Sequence, residues 1–292
     1  MELRVLKYFL VVAREESISA AAEALHLSQP TLSRQLKDLE DELGKTLLIR
    51  GSKKTTLTED GMLLRRRAQE ILDLAQKTEA ELRQSGTNIS GDVWIGGGES
   101  EGMRLIAKTA RQLQKDFPDI KINLISSNAP DIIERLEKGL IDFGVGVGIN
   151  LNPTKYESIW LPVTHIRGLL MRKDSPLARR AAITPTDLHG IPIISPRNED
   201  QRRDFEKWLG RKYETLNITA TFNLIYNAAF LVEEGVGYAL SLDRLINIPE
   251  DHPLCFVPFY PRMEVKINIA WKKHQVFSKA SQKFLDVILN ML

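Results

Sequence analysis

Between residues 17 and 43 the apolar positions recur at steps of three and four. Leu32, Leu36, Leu39 and Leu43 share one face of a helix, and Gln29, Pro30, Ser33, Arg34 and Lys37 fall on the other. Ser28 precedes this helix as a candidate N-cap, and Pro30 sits in the first turn, where amides lack helical partners. A shorter helix comes before it, and Ala20, Ala21 and Ala22 allow the two to cross closely. Two short helices, a tight turn and a small polar face on the second make a helix-turn-helix, whose second helix enters the major groove by its N-terminal residues. An ordinary helical hairpin with a solvated face has the same spacing, so spacing leaves both open.

The apolar run Tyr8 to Ala13 predicts a first helix packed on this pair. It is short for a signal peptide and lacks a small-residue cleavage site. After the pair, LLIRGSKKTTLT alternates about Gly51-Ser52, which suits a small hairpin, or wing, with Lys53 and Lys54 near its tip. Thr58 then caps a long helix with Glu59 and Asp60 in its first turn. Along it Leu64, Ala68, Ile71, Ala75, Thr78 and Leu82 alternate at steps of four and three, an a/d seam that calls for a second helix. A second copy of the chain is the natural partner; packing on its own domain is the alternative. Residues 85–91, SGTNISG, read as a hinge.

Beyond the hinge strands and helices alternate, as in parallel α/β units. One unit runs through strands at 93–96, 120–125 and 142–147. A second runs through 168–171, 191–194, 218–222 and the segment ending at Leu240. The strand Val265 to Trp271 and the last helix return to the first unit. The predicted division is a winged helix-turn-helix at 1–58, a linker helix at 59–85, a hinge at 86–91 and an α/β domain at 92–292. Within that domain, lobe 1 takes 92–163 and 265–292, and lobe 2 takes 164–264.

Charge adds a direction to this picture. Residues 1–85 hold fourteen basic and fourteen acidic side chains, so the total argues nothing. Their placement is polarised, however. Residues 24–37 carry Arg34 and Lys37 and no acid; residues 45–58 carry Lys45, Arg50, Lys53 and Lys54 and no acid; the acids cluster at 38–42. The single cysteine, Cys255, lies in an apolar run and excludes a disulfide or a cysteine-based metal site within one chain. The five histidines show no metal spacing, and no cofactor is expected. No stretch is long enough to span a membrane. Together these point to the cytoplasm.

The segment ALHLSQPTLSRQLKDLEDELG, then LLIR, then LTEDG, closely resembles the N-terminal domain of LysR-type transcriptional regulators. Ala24-Leu25, Ser28-Gln29-Pro30, Leu32-Ser33, Leu39-Glu40, Leu43-Gly44, Arg50, Leu57-Thr58 and Gly61 stand where that pattern wants them. Leu48 departs from it, since an aromatic residue is usual there, but an apolar side chain still fills a core. The resemblance is dense over the first 65 or so residues and covers the rest by layout. It implies promoter DNA as a partner, with Ser28, Gln29, Pro30, Thr31, Ser33, Arg34, Lys37, Arg50, Lys53 and Lys54 as the DNA-binding set. It implies a periplasmic-binding-protein-like sensor domain for a small effector, a homodimer or homotetramer, and contact with RNA polymerase if the protein activates.

In α/β sheets ligands sit at the carboxyl ends of strands, beside helix N-termini. The candidates there are Gly98, Glu99, Ser100, Glu101, Gly146, Gly148, Ser195, Asn223 and Asn227. In the resembling family the loop at 96–102 meets the effector, often through a hydroxyl, and Ser100 lies where that hydroxyl is expected. Glu99 and Glu101 are unusual, because many family effectors are small carboxylates. Either both point to solvent or pair with Arg104, or the effector carries a positive or hydrogen-donating group. A solute-binding protein would need a signal peptide. An enzyme would need a nucleophile, a metal cluster or a cofactor loop, and the sequence offers none, so no enzymatic activity is expected.

Overall fold

A computed structural model describes residues 1–51, 54–82, 89–147, 151–197, 202–249 and 251–292. The chain forms two compact units, Met1–Ser85 and Gly86–Leu292.

In the first unit α1 (Leu3–Glu15) buries Val5, Phe9 and Val12 against α2 (Ile18–Ala24) and α3 (Gln29–Leu43), and its Leu6 is buried as well. Ala21 and Ala22 are the buried alanines of α2, and Leu32, Leu36 and Leu39 are the buried leucines of α3. Leu43, predicted for the same face, is 39% exposed. It is the last helical residue before Gly44 turns the chain through a left-handed conformation at φ 62°, where the core has already ended. β1 (Leu48–Arg50) pairs antiparallel with β2 (Thr55–Leu57). Leu48 is buried, so the departure from an aromatic residue leaves the core filled. Next comes α4 (Glu59–Leu82), begun by the Thr58 hydroxyl, which accepts the Gly61 amide at 2.9 Å. α4 packs on α1, with Ala68 wholly buried and Leu64 set against the domain's own core. The N-terminal end of the predicted seam is therefore occupied within the chain. Its continuation is open: Leu82 is exposed, as is Leu74 on a neighbouring face.

The second unit is an α/β domain of two lobes. β3 (Gly91–Gly97) pairs in parallel with β4 (Ile120–Ser126) and β5 (Phe143–Val147), with α5 (Gly102–Asp116), α6 (Ala129–Glu137) and α9 (Lys279–Asn290) beside them. β7 (Pro192–Pro196) pairs in parallel with β8 (Asn217–Phe222) and β9 (Tyr238–Leu242), accompanied by α7 (Arg202–Leu209) and α8 (Ile225–Glu233). The predicted strand at 168–171 is only the end of β6 (Tyr156–Arg172), a strand of 17 residues. Its first part pairs with β11 (Glu264–Lys272), and its last part pairs with β9 and β10 (Leu254–Pro258). β11 also pairs with β5, so β6 and β11 carry the sheet from one lobe to the other. The ladder is irregular between Lys266 and Asn268, which oppose Thr164 and Trp160, leaving extra residues on β6. The hinge predicted at 86–91 lies partly outside the described residues.

Candidate functional site

Two surfaces gather the predicted residues. On the first unit, Ser17 caps α2 by accepting the Ala20 amide at 3.2 Å, and Ser28 caps α3 by accepting the Thr31 amide at 3.3 Å. Between them the chain turns at His26, whose φ is 54°. With Leu32, Leu36 and Leu39 committed to the core, α3 presents Gln29, Pro30, Thr31, Arg34 and Lys37 to solvent. Ser33 is half-buried at the edge of this face.

The predicted basic residues separate into two kinds. Arg34 and Lys37 are exposed and make no ion pair among the described residues. Arg50 reaches back from β1 to donate to the Ser33 hydroxyl at 3.3 Å and pairs with Glu40 at 3.5 Å. Glu40 is itself fixed, because one of its oxygens accepts the amides of Leu47 and Leu48 at 2.7 and 3.0 Å. Arg50 therefore joins α3 to the hairpin. Lys54 pairs with Glu16 at 3.0 Å. Lys53, predicted beside it, lies outside the described residues.

On the second unit a cavity of about 180 Å³ opens between the lobes. Lobe 1 contributes Gly98 and Glu99 after β3, Ser127 to Pro130 at the head of α6, and Gly146 on β5. Lobe 2 contributes Arg167 on β6, Arg197 after β7, Arg202 and Phe205 on α7, Tyr213, and Phe222 to Ile225 at the head of α8. Arg202 lies over the Tyr213 ring at 4.8 Å, and its Nε is buried with no hydrogen-bond partner among the described residues. Arg197 donates to Thr221 at 3.0 Å. Burial pulls the Arg167 guanidinium below its ordinary pKa, opposed by the Asp204 charge. Burial also raises the Tyr213 phenol.

Of the predicted effector residues, Gly98, Glu99, Gly146 and Asn223 line this cavity. Four others do not. The Ser100 hydroxyl is buried with no partner among the described residues, turned toward Gly102 rather than the cavity. Glu101 pairs with Arg104 at 3.0 Å, and this partner holds its carboxyl below the ordinary range. Ser195 is buried beneath the cavity wall, where its hydroxyl meets that of Tyr213. Asn227 is exposed on α8, away from the lining. Gly148 lies outside the described residues. The Glu99 carboxylate accepts the Ile225 amide at 2.5 Å and the Tyr226 amide at 3.3 Å. Both glutamates thus have partners within the chain, and a cationic effector loses the feature that suggested it.

The lobe 2 arginines and aromatics were missed. The available signal was Arg167, a charge between Ile166 and the apolar run Gly168 to Met171. Arg197, Arg202, Phe205 and Tyr213 come from separate loops and a short helix, and only the fold brings them together. Among the described residues no group of His, Cys, Asp and Glu could hold a metal ion, and no helix is long and apolar enough to cross a membrane.

Comparison with known proteins matches two family models. Residues 3–62 match the bacterial regulatory helix-turn-helix protein of the lysR family, and residues 87–292 match the LysR substrate binding domain. The chain is 36% identical over 302 residues to the HTH-type transcriptional regulator BsdA of Bacillus subtilis, covering 98% of this chain and all of that one. It is 28% identical over 252 residues to the transcriptional activator IlvY of Salmonella typhimurium, covering 86% and 85% of the two. Its fold is similar to full-length CbnR solved with its target DNA, at a TM-score of 0.77 and 22% identity over the whole of both chains.

Proposed function

The chain belongs to the LysR family of transcriptional regulators, DNA-binding proteins that respond to a small molecule, and from that premise we propose how its residues serve each partner. Gln29, Pro30, Thr31, Ser33 and Arg34 read base edges in the major groove of promoter DNA. Ser28, Lys37 and the hairpin lysines Lys53 and Lys54 face phosphates, and Arg50 holds α3 and the hairpin in register. CbnR, of similar fold, is solved on its target DNA, which supports this placement. The exposed stripe of α4 joins two copies, so the operator is partly palindromic. The protein carries no enzymatic role, and its DNA partner sets its place in the cytoplasm.

The effector is a small anion with a flat apolar body. The observation that carries this is the convergence of Arg167, Arg197 and Arg202 on a cavity walled by Phe205, Phe222 and Phe259, whose one acidic lining residue among the described residues, Glu99, is already bonded to α8. Guanidinium groups bind carboxylates through paired, charge-assisted hydrogen bonds, and aromatic faces cover a ring.

Calorimetric titration of the full-length protein with benzoate tests this. Saturable binding is expected, and Arg202→Met or Arg197→Met should weaken it about tenfold or more, the size of a lost charge-assisted bond. Binding that both substitutions leave unchanged would place the anion elsewhere.

A further inference from the structure

We propose that Glu99 is the protein's own carboxylate in the anion seat at the head of α8, and that it restricts the effector to a single anionic group held by the lobe 2 arginines. This rests on the anionic effector proposed above.

The first-turn amides of any helix lack partners and attract negative charge. α8 begins after Leu224, a residue with no side chain able to cap, and the preceding Asn223 oxygen accepts only the Leu224 amide, at 3.0 Å. The acceptor comes instead from the other lobe. Glu99, 126 residues earlier, takes the Ile225 amide at 2.5 Å and, through its other oxygen, the Tyr226 amide. Glu99, Leu224 and Ile225 all line the cavity, so this seat lies on its wall. Without Glu99 a ligand carboxylate would meet two unpartnered amides there, an arrangement that binds anions readily.

The second helix head on the cavity is filled in the same way. At α6, Asn128 accepts the Asp131 amide at 3.1 Å, and the Asp131 carboxylate stands in that first turn, accepting the Ser127 hydroxyl at 2.6 Å. Among the described residues, the heads of α6 and α8 thus each carry an acid of the protein. The positive side chains on the lining are Arg167, Arg197 and Arg202. A second carboxylate on the ligand would lie against Glu99 in a part-buried space, where like charges repel strongly.

Two measurements on the full-length protein test this. The first is hydrogen exchange without ligand: Glu99→Ser should speed exchange in the peptide spanning Ile225 and Tyr226, and Glu99→Gln, which keeps an acceptor, should speed it less. The second is calorimetry with benzoate and with phthalate, isophthalate and terephthalate. Wild type should prefer benzoate to each dicarboxylate by about tenfold or more, and Glu99→Ser should narrow that ratio by about tenfold for at least one isomer, the scale set by one charged contact. Unchanged exchange in Glu99→Ser overturns the seat. Dicarboxylates bound as tightly as benzoate by wild type, or an unaltered ratio in Glu99→Ser, overturn the specificity role while the anionic effector stands if Arg202→Met still weakens benzoate binding. Wild type that binds none of the four probes overturns both.

Discussion

His165 accepts the amide proton of Glu101 through its Nε2 at 3.0 Å, across 64 residues of chain. A backbone amide only donates, so Nε2 presents its lone pair and the ring proton sits on Nδ1, which donates to the Asp243 carboxylate at 2.8 Å. The ring is wholly buried. It ties the loop after β3 to β6 and to the segment after β9, and thereby fixes the loop that carries Glu99.

The Asp243 carboxyl responds to acid through this tie. Burial alone would raise it, but the Ile166 amide, His165 and Arg244 together hold it below its ordinary value of 3.8. A carboxyl with a lowered folded pKa adds stability that is complete above the unfolded value and is lost as pH falls through the folded one. Thermal melts taken from pH 6 down to pH 3 should therefore show less acid destabilisation in Asp243→Asn than in wild type. Parallel curves would mean that Asp243 does not titrate with unfolding.

Arg34 and Arg50 should separate on DNA. Arg34→Ala should reduce the slope of log affinity against log salt by about 0.9, the loss of one phosphate contact, or relax base preference with no slope change. Arg50→Ala should destabilise the domain by about 0–1 kcal/mol, since the pair with Glu40 is partly exposed, and weaken all sequences alike through a misplaced hairpin. Measured operator and random-sequence affinities decide it. A selective loss of operator binding in Arg50→Ala would make Arg50 a base reader.

The a/d seam of α4 splits into a folding part and an assembly part. Ala68→Asp places a charge where exposure is 0% and should unfold the first unit. Ile71→Asp with Leu82→Asp should leave far-ultraviolet dichroism intact and dissociate the dimer in sedimentation at low concentration. A double variant that stays dimeric puts the interface on another face, beginning with that of Leu74.

Gly61 should tolerate no side chain. A Cβ there would lie 2.1 Å from the Leu47 carbonyl oxygen, and that atom is backbone. Helix propensity favours alanine by about 1 kcal/mol. Overpacking against a fixed atom costs about 1–3 kcal/mol, so the clash wins. Gly61→Ala should lower the urea midpoint of the first unit; an unchanged or raised midpoint would show that α4 can draw back freely.

Local rules made the first unit legible. Its helices are amphipathic, its caps are Ser17, Ser28 and Thr58, and its core residues recur at three and four, all within one window of sequence. In the second unit periodicity located most strands but not the extent of β6, whose first part alternates while its last four buried residues run together. The cavity was half legible. Glu99 and Asn223 sit at strand ends, where a rule points. Arg197, Arg202 and Tyr213 meet through tertiary packing, for which one sequence carries no spacing. The charge of Glu99 suggested a cation because the α8 amides that hydrogen-bond it lie 126 residues away.

β6 belongs to both lobes without interruption, pairing with β11 along its first part and with β9 and β10 along its last. Two lobes that share a continuous strand cannot slide or come apart at a joint. What they can do is wring, with the extra residues opposite Ile267 as the compliant stretch. With an occupant between the lobes, the domain would act as a torsion bar. Its output is an angle, set by how far an occupant lets the lobes rotate, and occupants of different thickness would be told apart by degrees of twist.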